Sequence, residues 1–289
     1  MSLPARITAS IPASAPPRVR DLIRGAPDGP VPIVHAGPHA VYVALDGPDL
    51  TRCVGVLGRE AAQVPCGLRT RIRGFDSWRC ESAYVAGGTL HLDHIPLTVG
   101  RAVAVQVRPL GHGAIPRRTA SPATAAATPQ AVVAGLVLRG VAPATAPPLL
   151  AVVAGLVLRG VAPQVAEDTV VHLLGRGTGL TPLGDDLLCG WIATHRAAGV
   201  PTPEVDRAVR AGLHRTTLLS ATLLDCALHG EALPELSRFL RAIGTADEGD
   251  RAGDLLAVGG TSGAGLLMGA RLAVDDLAGT RTGSQAGAA

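Results

Sequence analysis

The spacing of apolar residues changes once along this chain, near Pro109, and that change restricts the architecture more than any other feature. Upstream, β-branched runs at Val31–His35, Ala40–Leu45 and Arg52–Leu57 are separated by turn clusters such as Asp46-Gly47-Pro48. Ser82–Val85 and Thr89–Leu92 flank a Gly87-Gly88 turn as a hairpin, and Pro96–Val107 supplies one more strand. Short strands closely spaced by turns predict an antiparallel β barrel or sandwich-like domain over residues 1–110. Downstream of Pro163 the period is helical, over Val165–Leu174, Leu183–Ala198, Pro203–Arg215, Thr216–His229, Pro234–Ile243 and Gly263–Leu277. Pro203 and Glu204 open one of these helices, and Gly230 closes another. The expected fold class is α+β, the β domain being followed by an all-helical domain at 164–279. Thr280–Ala289 is small and polar and reads as a flexible tail.

Residues 111–163 form an Ala/Pro/Gly-rich linker in this reading. It holds the run AVVAGLVLRGVAP at 131–143 and again, unchanged, at 151–163. Two copies are too few for a solenoid, so a local duplication is the simpler origin.

Composition removes several function classes. The sequence has no Lys, so all 26 basic residues are Arg, and P-loop, Schiff-base and kinase-type lysine chemistry are excluded. It has no Asn, hence no N-glycosylation acceptor. A net charge of +3 with scattered arginines and 2% aromatics speaks against a nucleic-acid partner. Five cysteines without a CxxC pair or zinc spacing fit reduced thiols and a cytoplasmic location. The N-terminus lacks the apolar core of a signal peptide, and the long uncharged stretch between Arg139 and Arg159 is interrupted by prolines, so no membrane span is expected.

Chemistry concentrates in three segments of the helical part. Leu173-Leu-Gly-Arg-Gly-Thr-Gly-Leu-Thr-Pro-Leu-Gly-Asp-Asp186 ends one helix, passes through a glycine-rich loop and opens the next helix. Loop amides and a helix N-terminus together favour an anion, which nominates Gly177, Thr178, Gly179, Thr181 and Gly184 as binding residues. Asp185 and Asp186, in the first turn, are the candidate catalytic pair, one capping and the other holding a water, a substrate N–H or Mg²⁺. No other cofactor and no resident metal site are expected. The glycine spacing departs from a dinucleotide fingerprint, and a tight turn with an Asp cap is the plain alternative.

Val258-Gly-Gly-Thr-Ser-Gly-Ala-Gly265 is a second such turn, with Thr261, Ser262 and Gly263 as candidates. It nearly matches a nucleophile elbow, but no His follows His229, which the hydrolase order requires. Third, Arg215, Thr216, Thr217 and Ser220 place a guanidinium beside hydroxyls, a combination suited to carboxylate or phosphate. Ordinary helix-start hydrogen bonding is its alternative. The run Gly67-Leu-Arg-Thr-Arg71 and the pair His91 and His94 carry weaker signals.

Taken in order, these segments resemble one family. Gly175–Asp186 is similar to G-x-G-x-G-L-T-P-S-G-D-D, and Arg215-Thr-Thr…Ser220…Ala227…Gly230-Glu231 to R-T-T-x-x-S…A…G-E. Gly259–Gly265 with Gly269 is similar to G-H-[TS]-S-G-x-D…G. The family is the AllH-type subunit of oxamate carbamoyltransferase. The resemblance implies a subunit of a hetero-oligomeric enzyme that interconverts carbamoyl phosphate plus oxamate with oxalurate plus phosphate, in allantoin or purine nitrogen catabolism. It implies small anionic substrates and other carbamoyltransferase subunits as partners. Leu183 stands where the family has Ser, Gly260 where His is common and Gly265 where Asp is common. Those departures keep open a non-catalytic, anion-binding or scaffolding role. A Mg²⁺ phosphohydrolase on Asp185 and Asp186 is the third reading, and it lacks further carboxylates.

Overall fold

The structure is a computed structural model that describes residues 10–76, 78–111 and 167–286. The duplicated run and nearly all of the expected linker lie outside the described residues. The chain divides into two compact units, residues 1–105 and 106–289.

The first unit is a nine-stranded sheet. Its strands are β1 (Ile11–Ala15), β2 (Gly29–Pro30), β3 (Ile33–Ala36), β4 (Ala40–Asp46), β5 (Thr51–Leu57), β6 (Gly67–Thr70), β7 (Ala83–Ala86), β8 (Thr89–Leu92) and β9 (Ile95–Ala102). Their order is β2-β7-β8-β9-β1-β6-β5-β4-β3, which leaves β2 and β3 as edges. The expected barrel is therefore an open half-barrel. Nor is it antiparallel throughout: β1 runs parallel to β9, with Ile11 opposite Leu97, and β5 runs parallel to β6, with Val56 opposite Leu68. The first of these pairings comes from β1, a strand containing Pro12 and Ser14 that shows little alternation in sequence yet inserts between β9 and β6.

Helix α1 (Pro17–Gly25) follows β1, with Pro at its first position and Val19 and Ile23 buried. Along β4, Val41, Val43 and Leu45 point inward and Asp46 outward, the alternation expected of a half-buried strand. From Cys53 to Leu57 the adjacent β5 is buried at every residue, so both of its faces are covered there. Val41, Val43, Leu45, Val54 and Val56 join Leu68, Leu90, Leu92, Leu97 and Phe75 in one core.

The second unit is helical: α2 (Glu167–Leu173), α3 (Leu183–Ala198), α4 (Pro203–Gly212), a 3₁₀ turn (Leu213–Arg215), α5 (Leu218–Leu228), α6 (Pro234–Ala242), α7 (Glu248–Leu256) and α8 (Ser262–Ala286). Helix α7 was not expected. Its sequence, EGDRAGDLL, is charged and glycine-containing, and only Ala252 and Leu255 are buried. Helix α8 continues to Ala286, past Leu277 and through most of the expected flexible tail, a stretch that contains no proline to stop it.

Helix α3 is the centre of this unit. Every residue from Leu183 to Ala197 except Arg196 is buried, as for a helix enclosed on all sides. It ends at Gly199, whose φ of 70° forms a left-handed cap. Its contact with α8 is close because both helices carry glycine where they meet. A Cβ on Gly190 would strike Leu266 O, and one on Gly269 would strike Leu187 O.

Candidate functional site

Asp185 is the point where the first and third motifs meet. It is 1% exposed and sits in the first turn of α3. Its Oδ1 accepts from the Gly175 amide at 2.8 Å. Its Oδ2 accepts from Ser220 Oγ at 2.7 Å and from Thr216 Oγ1. A carboxylate holding three donors ties the glycine-rich loop, the end of the 3₁₀ turn and α5 to the start of α3. Local geometry requires glycine at 175: its φ is 71°, and a side chain there would run into the Arg215 carbonyl.

Thr217 makes a second tie. As the N-cap of α5 it accepts from the Ser220 amide at 3.1 Å, and its hydroxyl donates to Leu180 O at 2.5 Å. The hydroxyls of Thr181 and Ser262 lie 2.7 Å apart and join the loop to the start of α8. All three motifs therefore converge on the first turn of α3.

Asp186 differs sharply from its neighbour. It is 4% exposed, and its Oδ2 is buried without a hydrogen-bond partner. Burial pushes its pKa up to about 8; the Ser262 and Thr181 hydroxyls pull it down, and the charge of Asp185 pushes it further up. The position that would hold a family Asp, Gly265, faces this residue. A Cβ there would lie 2.7 Å from Asp186 Cβ and 2.8 Å from Leu183 Cδ1. Leu183 and Gly265 are thus one packing event: the leucine occupies the room that a side chain at 265 would need.

The other candidates fall into two groups. The Gly184 amide donates to Arg176 O at 2.9 Å and the Gly263 amide to Val258 O at 3.0 Å, so neither is free for an anion. Both glycines serve close approach instead, since a Cβ at 184 would meet Leu173 O and one at 263 would meet Leu255 O. Gly177, Thr178 and Gly179 are exposed, and their amides take no acceptor among the described residues. Thr261 is half-buried beside Ser262. Arg215 is exposed, and the atom it presents to the loop is its backbone carbonyl rather than its guanidinium.

Among the described residues no group of three His, Cys, Asp or Glu is arranged to hold a metal ion. Both oxygens of Asp185 are already taken by protein donors, which argues against using it as a Mg²⁺ ligand. The Leu183–Gly265 pair and the Leu180 carbonyl were missed by sequence reasoning. The two departures from the family pattern at 183 and 265 were the signal for the former.

Among the described residues no helix is long and apolar enough to cross a membrane. No curated protein and no solved structure matches this chain. A family model does, that of oxamate carbamoyltransferase subunit AllH, over residues 173–274. That span runs from the last residue of α2 into α8 and contains all three motifs. Through this helical segment, the chain is similar to the AllH family.

Proposed function

We propose that this chain is an AllH-like subunit of a carbamoyltransferase complex acting on carbamoyl phosphate and oxamate, or on oxalurate and phosphate in reverse, within allantoin or purine nitrogen catabolism. Its partners are the other subunits of that transferase, in a cytoplasmic hetero-oligomer. One observation carries the reading: Asp185 binds the loop and the Thr216–Ser220 segment together and leaves Asp186 beside it with a free, buried oxygen.

In this reading the amides of Gly177, Thr178 and Gly179, with Arg215 nearby in sequence to Thr216, receive a phosphate or carboxylate. Such donors stabilise the charge that gathers on a departing phosphate, with no covalent intermediate required. Thr181 and Ser262 line the approach to Asp186, the side chain that meets the reacting group. Asp185, Gly184, Thr217 and Gly263 hold the frame, and Thr261 introduces the α8 turn.

A carbamoyl-transfer assay with the partner subunits present tests this. Asp186→Ala is expected to lower turnover by about 10² or more, the scale of losing a positioned acid, base or donor. Unchanged turnover would remove Asp186 from the reaction.

A second reading, a non-catalytic subunit that binds an anionic metabolite, is favoured by Leu183 and Gly265. Together they set an apolar wall against Asp186 where the family pattern has a hydroxyl and a carboxylate. Calorimetry with carbamoyl phosphate, oxamate and phosphate separates the two: tight binding without turnover in the complex supports the second.

A further inference from the structure

A buried carboxyl oxygen without a donor is costly, and proteins keep one only in two forms: a carboxylate that awaits a donor, or an acid whose own O–H awaits an acceptor. The groups around Asp186 discriminate between them. From α3 it faces Asp185, already a carboxylate with three donors. From α8 it faces the Ser262 hydroxyl and the bare backbone of Gly265; from the loop, the Thr181 hydroxyl and, beside it, the Leu183 side chain. No arginine or histidine among the described residues pairs with it. A second charge beside Asp185, against leucine and glycine, has no cation to offset it. The neutral acid is the form this environment favours, in accord with its ionisation being displaced upward to about 8.

An acid with a buried, unoccupied O–H is a donor waiting for an acceptor. Helices α3 and α8 both begin at this point, their first turns linked by Thr181 and Ser262 at 2.7 Å, and each contributes partial positive charge. We propose that Asp186 meets the ligand as an uncharged acid and donates its Oδ2–H to an anionic oxygen of that ligand, a carboxylate or a phosphoryl oxygen. This rests on the anion-site reading above, though not on carbamoyl transfer itself. The same device, a carboxylic acid kept neutral so that it can donate, operates in other low-polarity sites.

The test is calorimetry on the full chain from pH 6 to 9.5 with three probes: oxamate, inorganic phosphate and the neutral diamide oxamide. Oxamate is the primary probe because its carboxylate keeps one charge across that range. Its affinity is expected to hold steady to near pH 8 and then fall roughly tenfold per pH unit as the proton is lost. Asp186→Asn, which keeps an N–H donor and cannot ionise, is expected to bind oxamate within about threefold of wild type at pH 7 and to stay flat to pH 9.5. Oxamide is expected to bind at least tenfold more weakly than oxamate. Stronger binding of oxamate than of phosphate at pH 6 identifies a carboxylate as the acceptor, and the reverse a phosphoryl group.

Oxamate affinity that is flat or rises with pH overturns the proposal, as does loss of binding in a folded Asp186→Asn. Oxamide binding as well as oxamate, or no binding of either anion, overturns it too. Absence of transferase activity with this pH pattern intact would defeat the carbamoyltransferase reading and leave the acid donor standing.

Discussion

In the sheet unit, Thr70 is the one polar residue among those described that counts as buried, and its hydroxyl donates to Leu57 O at 2.9 Å. In the helical unit the buried polar set comprises Asp185, Asp186, Thr194, His195, Thr202, Ser220, Thr222, Asp225 and Glu231. The aspartates sharpen the contrast. Asp93 of the sheet unit lies half-buried at the β8–β9 turn, where it accepts from Trp78 Nε1 at 2.7 Å, from the Ser82 and Glu81 amides at 2.9 and 3.1 Å, and from Ser82 Oγ. Burial works to raise its pKa, and these donors more than reverse that, leaving it below the usual carboxylate range. Asp276 of the helical unit also accepts from a tryptophan, Trp191 Nε1 at 2.6 Å. There burial prevails over that hydrogen bond, and the pKa rises to about 7. Polar groups are expensive to bury, so a unit that buries many, one with an unpartnered atom, is where specific chemistry is to be sought.

The two tryptophans make this comparison measurable, because one lies in each unit. Trp78→Phe leaves fluorescence reporting on the helical unit, and Trp191→Phe leaves it reporting on the sheet.

The largest effect is expected from Asp185→Ala. It strands the Gly175 amide and two hydroxyls, at a cost of about 3 kcal/mol or more. Urea unfolding followed through Trp191 is expected to show a large drop in midpoint, with the Trp78 transition unchanged. Equal loss in both transitions would break the distinction between the units.

Next comes Gly265→Ala, which crowds Asp186 and Leu183 and is expected to cost about 2 kcal/mol. Adding Leu183→Ala removes the atom 2.8 Å from the new Cβ, so the pair is expected to couple by about 1 kcal/mol in a double-mutant cycle. Strict additivity would mean that the two positions do not share one space.

A third contrast lies in pH dependence, where the two units should differ in sign. For Asp186 and Asp276 the folded pKa exceeds the unfolded value near 4. Their contribution is full below that value and is lost as pH rises, the loss being complete above about 8. For Asp93 the folded pKa is depressed, so its contribution is present above pH 4 and is lost as pH falls further. Between about pH 6.5 and 8 the Trp191 midpoint should therefore decline and the Trp78 midpoint should not, and Asp186→Asn should remove much of that decline. A helical midpoint that is constant over this range would contradict the elevated Asp186.

Much of this was legible in the residues. The 3.6-residue period located α3, α4, α5 and α6 closely, because each presents a sustained apolar face or is apolar throughout. Glycine clusters marked the loops before α3 and α8, since few other residues tolerate backbone so closely approached or φ of 71° at Gly175. Three short segments in fixed order were enough to indicate the family. What could not be read was whatever depends on partners distant in the chain. Strand β1 has no pattern of its own and exists because β6 and β9 flank it; α7 is held through two buried side chains that its composition conceals. The clearest case is Asp185 and Asp186, identical and adjacent in sequence. Successive residues of a helix point about 100° apart, so one carboxyl meets three donors and the other meets leucine and glycine. The sequence determined that two acids would open this helix; only the packing of the loop, α5 and α8 around it decided which became a fixed carboxylate and which was left with an oxygen to offer.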